Sequence, residues 1–220
     1  MKNLIKSNER LDDLQINGKF VIQDPLDYCF TSDSVQLANF ANCKPNDRVV
    51  DLCSGCGIVG ILIQTKHDCK KVVCVELQEK FADMAKRSIE YNNQQEFVDV
   101  VNAPLQDVNK IIGTGYDVVV CNPPYKKTGI LPEKESIKIA KHEIKVTLEE
   151  IIKEASILLK FGGKFYVVNK EERLPDIFVY CRKYGLEPKK LKLLHSEKGA
   201  SVVLVEAKKG GRSGLVITRN

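Results

Sequence analysis

The sequence predicts an α/β fold: a doubly wound, mostly parallel seven-stranded sheet with helices on both faces and an antiparallel strand pair at the C-terminal end. Three observations predict it. Short, nearly uninterrupted apolar runs ("DRVVDLC", "KVVCVEL", "YDVVVCN") alternate with longer amphipathic stretches, and such runs mark strands covered on both faces, as in a parallel sheet. A glycine-rich turn joins the first run to the helix after it. The last two runs, "KKLKLLHS" and "SVVLVEAK", are separated by a short polar link. Only antiparallel neighbours can be joined that way, because a parallel pair needs a long crossover.

The elements follow in order. "LQINGKFVIQ" alternates around Asn17-Gly18, a pair that tolerates positive φ at both residues, so residues 1–30 are expected to form a hairpin extension. In "FTSDSVQLANFANC", Ser32 or Asp33 can cap a helix whose apolar face carries Val35, Leu37, Ala38 and Phe40. Strand 47–53, helix 57–66, strand 71–77, helix 78–93, strand 96–102, a weaker helix near 104–112 and strand 116–122 come next. Thr147 and Glu150 make a capping box for helix 147–160, and Gly162 and Gly163 are expected to end it at the C-cap. Strand 164–169 and helix 173–185, stopped by Gly185, lead to the final pair. One domain is expected over 31–208, with a basic, glycine-rich and mobile tail at 209–220.

Composition is ordinary for a soluble globular chain of 220 residues, 43% hydrophobic and 29% charged. No apolar run is long enough to span a membrane, and "MKNLIKSNER" lacks the apolar core of a signal peptide. A cytoplasmic protein is expected. The eight cysteines are irregularly spaced and several lie inside apolar strands, as reduced core residues do. Cys53 and Cys56 form a C-x-x-C without a second pair, which reads as two small residues in a tight turn, and no metal is expected. The net charge of +5 leans mildly toward a polyanionic partner, though scattered surface lysines give the same balance.

"VVDLCSGCGIVG" places glycines at 55, 57 and 60, satisfying G-x-G-x-x-G. A dinucleotide site would hold a pyrophosphate there. Asp51, standing at the strand end, would repel one and would suit a cationic ligand such as an amino group or a sulfonium. Glu76 ends the next strand, where an acid can accept hydrogen bonds from ribose hydroxyls. An acid, a glycine turn and a ribose-binding acid together resemble motifs I and II of the Rossmann-like class I S-adenosylmethionine-dependent methyltransferases. That resemblance implies S-adenosylmethionine as cofactor, with Asp51, Ser54, Gly55, Gly57, Glu76 and Leu77 around it.

"DVVVCNPPYKK" ends the fourth buried strand in a stiff turn, since proline gives no N–H to a ladder. In a doubly wound sheet this strand end lies beside the first, at the crevice where ligands bind, which puts Asn122 and Tyr125 close to the cofactor, Asn122 as one of its expected contacts. "NPPY", residues 122–125, resembles motif IV of the amino-group methyltransferases, which act on adenine N6, cytosine N4 or a glutamine amide. Their target amine is a poor nucleophile, because its lone pair is delocalised. The Asn122 side-chain oxygen and the Pro123 carbonyl can each accept one N–H, positioning the amine and localising its lone pair. Pro123 and Pro124 preset the carbonyl direction, and Tyr125 offers a face on which an unstacked base can lie.

Four targets compete: adenine in structured RNA, the glutamine of a release factor, adenine in DNA, and no reaction at all in a module that only binds RNA. The last would predict decay of Asp51, the glycines or Asn122, all of which are present. A separate DNA-recognition domain has no room in this chain, and about thirty residues reading as a hairpin replace the helical domain of release-factor methyltransferases. Over nearly its whole length, through "FTSDSVQLANFA", "DLCSGCGIVGIL", "VELQ", "CNPPY", "KHE" at 141–143 and "KKGGRSGLVI", the chain resembles the bacterial tRNA(Val) (adenine-N6)-methyltransferase family. The resemblance implies a tRNA substrate modified at the adenosine immediately 3′ of the anticodon, and a monomer is expected. It also puts Thr31 and Asp33 near the cofactor; as a helix N-cap alone the stretch needs no such role. Where many members carry an aspartate facing the cofactor adenine, this chain has Asn102, Ala103 and Pro104. Asn102 and the Ala103 N–H are the expected substitutes. Lys126, Lys127, Lys134, Lys138 and Lys141 are candidate phosphate contacts or a solvated loop, and so, more weakly, are Lys208, Lys209 and Arg212 in the tail.

Overall fold

Alternation along the valine-rich strands builds two hydrophobic cores, one on each face of a single sheet. In β3 (Arg48–Leu52), Val49 joins one core while Val50 and Leu52 join the other. β4 (Lys71–Glu76) and β6 (Tyr116–Cys121) divide in the same way, Val72, Cys74, Val118 and Val120 on one face and Val73, Val75, Val119 and Cys121 on the other. The computed structural model describes residues 4–27, 29–125, 136–137, 139, 145–195 and 201–219. The first core is closed by α1 (Ser32–Phe40), α2 (Ile58–His67) and α3 (Glu79–Tyr91). The second lies under α5 (Leu148–Leu158) and α6 (Leu174–Lys183), with the short α4 (Asn109–Ile112) beside them.

β5 (Val98–Asn102), β7 (Leu159–Lys170), β8 (Leu186–His195), β9 (Ser201–Lys209) and β10 (Val216–Arg219) complete an eight-stranded sheet of order β10-β8-β9-β7-β6-β3-β4-β5. β5, β4, β3, β6 and β7 run parallel, and β9 is antiparallel to both β7 and β8, as the short link predicts. Strand order reverses at β3 and β6, which pair with Leu52 opposite Cys121. No helix of the described residues is long and apolar enough to cross a membrane.

The expected hairpin is β1 (Arg10–Asp13) with β2 (Phe20–Gln23), turning at Asn17 (φ 47°) and Gly18 (φ 62°). It is pinned to α3 by side chains that satisfy its free edge. The Ile22 N–H donates to Ser88 Oγ at 2.9 Å, the Phe20 N–H to Asn92 Oδ1 at 2.9 Å, and Asn92 Nδ2 to the Phe20 carbonyl at 2.6 Å. The capping box also forms, Thr147 Oγ1 accepting the Glu150 N–H at 3.2 Å and Glu150 Oε2 the Thr147 N–H at 2.8 Å.

Two expectations change. Helix α5 ends at Leu158, short of the glycines expected to cap it, because Lys209 Nζ donates to the Ser156 and Leu159 carbonyls at 2.6 and 2.8 Å. Leu159 then pairs with Tyr116, and the next partners are Val118 and Lys164, so residues 160–163 bulge out of β7. Gly162 serves that bulge at φ 81°, and a Cβ on Gly163 would stand 3.1 Å from the Asp117 carbonyl. The second change is the strand count. The chain passes around the start of β8, the Gly210 N–H donating to the Gly185 carbonyl at 3.0 Å. Part of the basic tail then becomes β10, an eighth strand parallel to β8.

Gly60 lies where α2 presses on β4. A Cβ there would overlap Cys74 Sγ and come within 3.4 Å of Val72 Cγ1. Gly60→Ala is expected to lower stability by about 1–3 kcal/mol, the usual range for overpacking. Adding Cys74→Ala should recover most of that loss in a double-mutant cycle by chemical denaturation. Additive losses would refute the clash.

Candidate active site

Parallel strands that end together leave their loops with unpaired N–H groups, and here a carboxylate collects them. Glu76, the last residue of β4, accepts the Gly55 N–H on Oε2 and the Gln78 N–H on Oε1, both at 2.8 Å. Burial raises its pKa, against these N–H bonds, which lower it. The Glu76 carbonyl accepts the Ala103 N–H at 3.1 Å and Asn102 Nδ2 at 2.8 Å. The Ser54 N–H donates to the Val75 carbonyl at 3.0 Å. The ends of β3, β4 and β5 are thereby knitted into the floor of a cleft of about 950 Å³, part of it open to solvent.

Ser54, Gly55, Glu76, Leu77, Ala103, Asn122 and Pro124 line this cleft, so the glycine turn, the strand-end acid and the proline turn meet as the sequence predicts. Asn122 follows β6 directly. Its Nδ2 donates to Ser34 Oγ at 2.8 Å, and its Oδ1 accepts the Tyr125 hydroxyl. The same hydroxyl lies 3.5 Å from Asp33 Oδ2. Asp33 and Tyr125 therefore flank Asn122 without lining the cleft, Pro123 is buried behind it, and Thr31 is the exposed N-cap of α1.

Other expectations are corrected. Asp51 does not line the cleft. Its strand position turns it toward α2, where Oδ2 accepts the Gly60 N–H at 3.0 Å. It caps α2 from a neighbouring strand, a role the helix's own N-cap, Gly57, has no side chain to fill. Burial pushes its pKa up to about 8, disfavouring the charged form where the sequence expects a counter-charge to a cation. Gly57 packs on α3, where a Cβ would meet Ala85 Cβ at 3.2 Å. The Ala103 N–H is spent on the Glu76 carbonyl, and Asn102 Nδ2 on the Glu76 and Leu77 carbonyls, which leaves Asn102 Oδ1 as the acceptor there. Lys126, Lys127, Lys134, Lys138, Lys141 and the "KHE" segment lie outside the described residues.

The cleft also uses residues that the sequence reading did not assign to it: Gln23 and Phe30 from the N-terminal segment, Ser34 from α1, and Leu105, Gln106 and Lys145. Phe30 and Ser34 carried a signal, inside "FTSDS". Among the described residues, Asp51 Oδ1 and Ser54 Oγ are buried polar atoms without a hydrogen-bond partner. Cys53 and Cys56 are free thiols on the cleft wall.

Because the folded chain holds the Asp51 proton more tightly than the unfolded chain, the burden of its buried charge grows as pH rises toward 8. Asp51→Asn keeps an oxygen for Gly60 and removes that charge. Its melting temperature relative to the parent is expected to rise between about pH 4 and about pH 8 and to level off above that. A constant difference across that range would show that Asp51 does not titrate there.

A family profile described as "Methyltransferase small domain" matches residues 33–179. Curated relatives include two proteins named tRNA1(Val) (adenine(37)-N6)-methyltransferase. That of Porphyromonas gingivalis is 23% identical over 167 residues, covering 73% of this chain and 66% of the relative. That of Bacteroides thetaiotaomicron is 27% identical over 141 residues, covering 62% of this chain and 57% of the relative. The chain thus spans less than two thirds of the length of either. Among solved structures, a methyltransferase from Pyrococcus furiosus superposes with a TM-score of 0.69 at 20% identity, covering 90% of this chain and 92% of the other. TYW2 of M. jannaschii in complex with AdoMet does so at 0.63 and 17%, covering 92% and 86%. With about two thirds of its length matched by that profile, from the first turn of α1 into α6, the chain belongs to the methyltransferase small domain family.

Proposed function

We propose that this chain transfers a methyl group from S-adenosylmethionine to the N6 amino group of an adenosine in tRNA, the one immediately 3′ of the anticodon in tRNA(Val), as a cytoplasmic monomer. The observation that carries the reading is that Asn122 and Pro124 share one cleft with the Gly55 turn and Glu76. The cleft's own atoms fit the cofactor. Each Glu76 oxygen has accepted one N–H and keeps a lone pair for a ribose hydroxyl. The orphaned Ser54 Oγ and the Gly55 turn suit the amino-acid end, and Leu77, Ala103 and Leu105 offer apolar wall for adenine. When bound, S-adenosylmethionine supplies an electrophilic methyl group.

The chain's residues do the rest. Asn122 Oδ1 and the Pro123 carbonyl each accept one N–H of the target amine, which turns its lone pair away from the ring. The prolines hold that carbonyl in one direction. Tyr125, beside Asn122, offers its ring to the flipped base. The tRNA and the position within it are supported by the names of the relatives. Lys126, Lys127, Lys138 and Lys141 are the proposed phosphate contacts.

The deciding assay incubates the protein with labelled S-adenosylmethionine and unmodified tRNA(Val), other tRNAs or release factor, then digests the products for mass spectrometry. N6-methyladenosine in the tRNA(Val) anticodon loop is expected. Label on a release-factor glutamine would keep the chemistry and overturn the substrate. Asn122→Ala should lose at least about 100-fold in kcat, as loss of a group acting at the reacting atom does, while cofactor affinity by calorimetry is retained. Normal methylation by this variant would overturn the mechanism. tRNA affinity should fall steeply with salt, and less steeply in a Lys126→Ala/Lys127→Ala variant; an unchanged slope would remove those lysines from the interface.

A further inference from the structure

We infer that Ser34 is the positioning residue for Asn122, holding its carboxamide in place beside the target amine. The inference rests on the function proposed above and adds to it a residue that acts through Asn122. A carboxamide's two ends have the same shape and opposite hydrogen-bonding character. Turned one way, Asn122 accepts the amine's N–H; turned the other, two donors face each other and the amine is repelled.

Ser34 and Tyr125 hold the carboxamide between them, since each hydroxyl can donate or accept. Ser34 Oγ accepts Nδ2 at 2.8 Å, from a residue 88 positions away in the sequence. The Tyr125 hydroxyl donates to Oδ1, taking one of its two lone pairs and leaving the other for the substrate.

Ser34 stands in the cleft wall, and the hydrogen bond its side chain makes there is to Asn122. It is the third residue of α1, past the N-cap, and its own N–H is already taken by the Thr31 carbonyl at 3.2 Å. Its side chain shares the buried face of the helix with Leu37 and Ala38, only 6% exposed. A hydroxyl buried on such a face is a cost unless it is hydrogen-bonded, and Asn122 is the partner that redeems it.

The test compares Ser34→Ala and Ser34→Thr with the parent. Ser34→Ala is expected to lower kcat about 10- to 100-fold, the scale of a misplaced reacting group, and to lower S-adenosylmethionine affinity much less. Ser34→Thr should restore most of kcat by returning the acceptor. In ¹⁵N NMR of the parent, one Asn122 Nδ2 proton should be protected from exchange, and Ser34→Ala should lose that protection. A kcat for Ser34→Ala within about two-fold of the parent, or Nδ2 protons that exchange alike in both proteins, would overturn the inference. If the parent methylates no substrate, the function proposed above falls, and the NMR comparison alone decides whether Ser34 holds the carboxamide.

Discussion

The rest of the site depends on one buried carboxylate. Three parallel strands end side by side, and their loops present N–H groups that no neighbouring strand can take. Glu76 is acceptor-only when ionised and reaches both adjacent turns. Its main-chain carbonyl then gathers the end of β5 through Ala103 and Asn102. Burial disfavours the charge, but two charge-assisted N–H bonds at 2.8 Å oppose that cost. The floor of the cleft is therefore backbone held at fixed geometry, and a ligand hydroxyl arriving there meets an acceptor already oriented.

The same solution recurs one layer deeper with different consequences. Asp51 also serves an N–H that lacks a partner, that of Gly60 in the first turn of α2. It has one such bond where Glu76 has two, and Oδ1 is left without any. Its charge is the less well supported of the two, in line with a pKa pushed to about 8. Two acids at neighbouring strand ends thus take different parts: Glu76 at the cleft surface, and Asp51 as a structural cap beneath the glycine turn.

What was legible in the sequence was local. The apolar runs, the Asn17-Gly18 turn and the Thr147 capping box each depend on residues close together in the chain, and each forms where expected. The meeting of the glycine turn, Glu76 and Asn122 was legible because strand ends in this topology converge. What was not legible depends on partners distant in sequence. Lys209 shortens α5 from across the fold. The Ala103 N–H, expected to face a ligand, is consumed by Glu76, and nothing near residue 103 signals it. Asp51 reads as a ligand-facing acid until its strand position shows that it shares a face with Val49, toward α2.

The N-terminal extension shows why the site cannot be assigned to the sheet alone. Asp24 and Asp27 have nearly buried side chains, and Lys80 of α3 answers both, at 2.6 and 2.8 Å. That clamp fixes the chain just before Phe30, which enters the cleft wall, and just after Gln23, which does the same. Four residues beyond Phe30 comes Ser34, bonded to Asn122. Residues of the extension and of the first turn of α1 thus share the cleft wall, anchored at one end by the partly exposed Lys80 on α3 and at the other by the carboxamide at the end of β6. Gln23 and Phe30 line the cleft on either side of the Asp24 and Asp27 clamp, so the hairpin and its acids belong to the site as much as the glycine turn does.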